Sequence, residues 1–82
     1  MKKDLIVELV GWYGAVAILM GYTLNTFNVL DSSSIFYQVL NLTGAIGIVV
    51  VSISKGAKQP AVLNFVWAVI ALLAIASIVL GL

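Results

Sequence analysis

The chain has 82 residues, 63% of them hydrophobic and 9% charged, with a formal net charge of +1. Ordinary globular domains carry roughly 25% charged residues, and a soluble fold this small buries only a modest share of its surface. So much apolar area needs lipid to cover it. The near-neutral charge and lack of a basic face exclude a protein that tracks nucleic-acid phosphates. Cys and His are both absent, which removes disulfides, thiol and imidazole catalysis and nearly all soft-metal ligation. The acids Asp4, Glu8 and Asp31 lie near the N-terminus or in a connection, so no carboxylate pair converges inside a bilayer. Neither an enzyme activity nor a metal or cofactor is expected.

Three apolar stretches, roughly 5–26, 34–54 and 60–82, fill the chain, and every lysine lies outside them. Each reaches the length of about 20 residues that a helix needs to cross roughly 30 Å of hydrocarbon. The expected fold is an all-α membrane protein, a single transmembrane domain over residues 1–82. Met1-Lys2-Lys3 before an apolar run is also how a signal peptide opens. Here the run is too long, Asp4 and Glu8 interrupt its start, and no small-x-small cleavage site follows. The first stretch is therefore read as an uncleaved span. In the connection 28–33, Asp31 or Ser32 is the expected N-cap of the second helix. In the connection 55–59, Gly56 can supply a left-handed C-cap. Pro60 suits the first turn of the third helix, where no N–H is needed. Connections this short make successive helices antiparallel neighbours.

Lys2 and Lys3 precede the first span, while Lys55 and Lys58 separate the second from the third. Two crossings lie between these groups, so they fall on one side, and the other side has no basic residue. The positive-inside bias places the N-terminus and the 55–59 connection in the cytoplasm, with the Asp31 connection and the C-terminus outside. The expected location is a bacterial cytoplasmic (inner) membrane.

Small residues mark one side of each helix. Gly11, Gly14 or Ala15, Ile18, Gly21, Tyr22 and Asn25 share a face at three- and four-residue steps. In the second helix the face runs through Tyr37 or Gln38, Asn41, Gly44, Ala45 and Ile48. The third offers Asn64, Trp67, Ala68, Ala71 and Ala74 or Ile75. Glycine and alanine let membrane helices approach closely, and packing alone accounts for them. The amides say more. An unpartnered amide in hydrocarbon costs about 2–7 kcal/mol, depending on the reference state, so Asn41 and Asn64 face another helix, a carbonyl or water. An interhelical hydrogen bond is one outcome; a solvated solute site is the other. Trp67 lies three residues after Asn64, and an amide beside a flat ring is a common way to hold a neutral polar solute. Tyr22, Tyr37 and Gln38 can add donors and acceptors. Glu8, near Lys2 and Lys3, is read as a solvated acid rather than a proton-coupling group.

The chain resembles a family of small bacterial membrane proteins of about eighty residues. The resemblance rests on Gly11-Trp12-Tyr13-Gly14-Ala15 with Tyr22, on 37–45 from Tyr37 to Ala45, and on Pro60 with Asn64, Trp67 and Ala68. That family is distantly similar to the PQ-loop group, which includes the SemiSWEET half-transporters. The resemblance implies a SemiSWEET-like three-helix bundle, paired as a parallel homodimer around a central pathway. It also implies that Asn64 and Trp67, then Asn41, touch the solute. The chain departs from the pattern in having no Pro-Gln pair in its first helix and its lysines in the second connection. The function expected is a half-transporter moving a small polar organic solute. The alternatives are an accessory subunit docking through its Gly and Ala faces and, lower in rank, a holin-like pore former. The expected partners are a second copy, membrane lipid and a small polar solute, with no nucleic acid.

Overall fold

The structure, a computed structural model, describes the backbone of residues 2–82 and the side chains of 3–82. Three helices follow one another: α1 (Lys2–Thr26), α2 (Ile35–Ser54) and α3 (Lys58–Leu80). Each is long and apolar enough to cross a membrane, which suggests a membrane-spanning protein. The long axis of the molecule is 43 Å, comparable with the roughly 40–45 Å of a bilayer including its headgroups.

One device ends all three helices. Asn28, Gly56 and Gly81 adopt left-handed φ angles of 62°, 70° and 73°. After α2, the Gly56 N–H donates to the Ile53 carbonyl and the Ala57 N–H to that of Ser52. Asn28 with Val29, and Gly81 with Leu82, repeat this pattern at the ends of α1 and α3. These paired bonds satisfy carbonyls that a helix end leaves orphaned.

The helix starts differ in detail from the sequence reading. Ser34, not Asp31 or Ser32, caps α2, its Oγ accepting from the Tyr37 N–H at 3.4 Å. Asp31 is used one turn earlier, where its Oδ1 accepts from the Ser33 N–H at 3.0 Å. That bond, and a second from the Ser33 side chain, hold the Asp31 carboxyl below its usual range. The third helix begins at Lys58, two residues before Pro60. A proline at the third helical position costs little, because the N–H it lacks would have no intrahelical acceptor.

Both α1 and α3 pack on α2, and among the described residues they do not pack on each other. The core consists of small groups: among the described residues Ala17, Ala45 and Ala71 are the buried apolar side chains, beside buried Gly11, Gly14, Gly21, Gly44 and Gly47. Large apolar side chains point outward instead, Leu19, Leu73 and Val79 each being about 65% exposed. A water-soluble domain reverses that arrangement. Between membrane helices it is the expected one, because close packing replaces hydrophobic burial as the force that joins them.

Candidate functional site

The absence of α1–α3 packing leaves a groove of about 430 Å³ over one side of α2. Ile18 and Tyr22 of α1 form one wall, and Trp67 and Ile70 of α3 the other. Tyr37 and Asn41 of α2 form the floor. Three helices contribute because their spacing brings these positions to one side: 18 and 22, and 37 and 41, are four-residue steps, and 67 and 70 a three-residue step. None of the six side chains is charged. Nor do the Tyr22 and Tyr37 hydroxyls, the Asn41 amide or the Trp67 indole have a hydrogen-bond partner among the described residues. Such a surface can offer donors, acceptors and two ring faces to an uncharged polar molecule.

Of the five residues that the sequence singles out, Tyr22, Asn41 and Trp67 meet in this groove. Asn64 and Gln38 do not line it. Asn64 is 6% exposed, its Nδ2 donating to the Pro60 carbonyl of its own helix at 2.9 Å. Its Oδ1 is buried without a partner. A three-residue step turns a helix by about 300°, so Asn64 and Trp67 stand roughly 60° apart around α3. That offset separates the seam from the rim. Gln38 is drawn away by the end of α1–α2 connection, its Nε2 donating to the Ser32 carbonyl at 2.7 Å.

Two polar contacts across α1 and α2 are not apparent from the sequence. The Tyr13 hydroxyl lies 2.7 Å from Thr43 Oγ1. Thr43 already donates to the Val39 carbonyl at 2.9 Å, so Tyr13 must be the donor. At the lysine-bearing end, Lys55 Nζ stands 2.7 Å from Glu8 Oε2, with both side chains about half exposed (60% and 45%). A smaller hollow of about 210 Å³, lined by Glu8, Gly11, Trp12, Ala15, Val51 and Lys55, lies at this ion pair. The antiparallel packing that brings the start of α1 to the end of α2 is the signal that would have paired Glu8 with Lys55 rather than with Lys2 or Lys3.

A protein-family model covers residues 7–81 of the chain. The chain belongs to that family, which is uncharacterised. The matched span of this family includes all six groove residues and both members of the Glu8–Lys55 pair. No curated protein and no solved structure matches the chain, and the family match brings no likeness to PQ-loop or SemiSWEET proteins with it.

Proposed function

We propose that this small three-helix protein is one half of a membrane transporter, completed by a second, parallel copy, for an uncharged polar organic solute. The observation that carries the proposal is the set of unpartnered polar groups at the groove: two hydroxyls, an amide and an indole N–H. In hydrocarbon each would be costly, on the order of 2–7 kcal/mol for an amide, depending on the reference state. Water or a solute in the groove removes that penalty. With no charge among the lining residues, the solute is neutral, held by hydrogen bonds to Asn41, Tyr22 and Tyr37 and by the Trp67 ring.

One copy leaves the groove open along its side. A second copy, related by a two-fold axis along the membrane normal, closes it. Rocking of the two halves around a shared site would then give alternating access. The lysine-bearing end faces the cytoplasm of a bacterial inner membrane, following the positive-inside bias, and the C-terminus lies outside.

An accessory subunit would need its small-residue faces free for partner helices. Here Gly14, Gly44 and Gly47 are buried against one another within the chain, which favours the transporter reading. The test is solute uptake by reconstituted vesicles, screened with sugars, polyols, amino acids and amides. Asn41→Ala combined with Trp67→Ala should reduce uptake at least tenfold. Undiminished uptake removes the site.

A further inference from the structure

We infer that the Glu8–Lys55 ion pair is a latch that holds the groove open, with the close contact at Gly14 as the pivot of α1 on α2. This rests on reading the groove as the working site, but the mechanical claim concerns α1, α2 and α3 alone.

The pair and the groove occupy one side of the same seam. On α1, Glu8, Gly11, Ala15, Ile18 and Tyr22 follow alternating three- and four-residue steps and so share a face. Along α2 and its C-cap residue, Asn41, Ile48 and Lys55 are spaced by seven residues and also share a face. The hollow at Glu8 and Lys55 and the groove at Tyr22 and Asn41 are thus successive openings along one side of the α1–α2 seam. Between them the two backbones meet. A Cβ on Gly14 would stand 2.5 Å from the Gly44 carbonyl oxygen, and one on Gly47 would stand 3.1 Å from the Gly14 Cα.

Close contacts run along α1 from Val10 and Gly11 to Ile18, with Gly14 at their centre, so a stiff α1 turns on α2 about Gly14. Glu8 lies six residues before Gly14 and Tyr22 eight residues after it, so the two arms are about 9 and 12 Å long. The ion pair draws the start of α1 toward the groove side of α2, which swings the Tyr22 end away from α3. Breaking the pair lets the start of α1 swing back and carries Tyr22 toward Trp67, narrowing the groove. With both partners about half exposed, the pair is weak enough to open thermally, as a latch must be.

The test uses double electron–electron resonance on the full chain in bilayers. The chain contains no native cysteine, so labels can be placed without background. Leu5→Cys with Ser54→Cys reports the lysine end, and Thr26→Cys with Val79→Cys reports the groove end. Glu8→Gln and Lys55→Gln should each shift the populations about two- to five-fold, the range an exposed ion pair supports. The lysine-end distance should lengthen while the groove-end distance shortens, the latter by about one-third more, following the arm ratio. The exchanged pair, Glu8→Lys with Lys55→Glu, keeps the charge of this end and should restore the native distributions. Unchanged distances in both single variants would overturn the latch, as would an opened lysine end with a fixed groove end. Failure of the exchanged pair to restore the distances would do so too. No solute enters this measurement, so its outcome is separate from that of the uptake assay.

Discussion

The Gly14 Cα faces the Gly44 carbonyl with no room for a methyl group between them: a Cβ on Gly14 would lie 2.5 Å from that oxygen. Backbone, rather than a movable side chain, is the obstacle. Gly14→Ala should therefore force α1 off α2 at a cost of about 1–3 kcal/mol, the usual range for overpacking. Gly21→Ala is the control, because its Cβ would meet only the Tyr37 ring at 3.5 Å. Thermal unfolding in detergent should show a clear loss for Gly14→Ala and little or none for Gly21→Ala.

Tyr13 and Thr43 join α1 to α2 on the flank away from the groove. Tyr13→Phe should cost about 0.6 kcal/mol, the average for hydrogen bonds between membrane helices. Thr43→Val should cost at least as much, because it removes the acceptor for Tyr13. A double-mutant cycle measured by reversible unfolding should give a coupling energy of similar size. Zero coupling would mean that the two hydroxyls do not interact in the folded protein.

Asn64 makes the opposite kind of prediction. Its buried Oδ1 lacks a partner, and an unsatisfied buried acceptor costs about 1–3 kcal/mol. Asn64→Leu removes that oxygen while keeping the branched shape of the side chain, so the unfolding temperature should stay level or rise. Uptake should be retained, since Asn64 lies off the groove. Loss of uptake at unchanged stability would return Asn64 to the solute site.

Asp31 gives a pH signature to the α1–α2 connection. Its folded carboxyl titrates below the usual carboxylate range because the Ser33 N–H and hydroxyl favour the charged form. The stabilisation from such a depressed group is complete above the unfolded value and disappears as pH falls through the folded one. Hydrogen exchange at the Ser33 amide should therefore be protected near neutrality and lose protection relative to neighbouring amides only as the pH falls below the usual carboxylate range. Asp31→Asn should flatten that dependence.

Three apolar helices were legible in the sequence because length and hydropathy are properties of a single segment. Their capping was only partly so. Asp31, Ser32, Ser33 and Ser34 are all competent N-cap residues, and only the helix register selects Ser34. The groove depends on which faces meet, and that is a relation between segments. Tyr22, Asn41 and Trp67 could be named from chemistry and spacing, but a turn of roughly 60° between positions 64 and 67 decided which of them reached the opening. Ile70, as one more apolar residue in an apolar helix, had no local signal. The Glu8–Lys55 pair joins positions 47 residues apart, so its proximity follows from antiparallel packing rather than from either residue's neighbours.

Whether the groove holds water and solute, or lipid tails, decides the functional reading most directly. Trp12→Phe leaves Trp67 as the sole tryptophan, and its fluorescence in bilayers can be quenched from water by acrylamide or from lipid by brominated acyl chains. The proposed site requires strong acrylamide quenching, saturable protection by one of the neutral polar solutes, and loss of that protection in Asn41→Ala. Quenching by brominated chains alone, with no response to any solute, would contradict it.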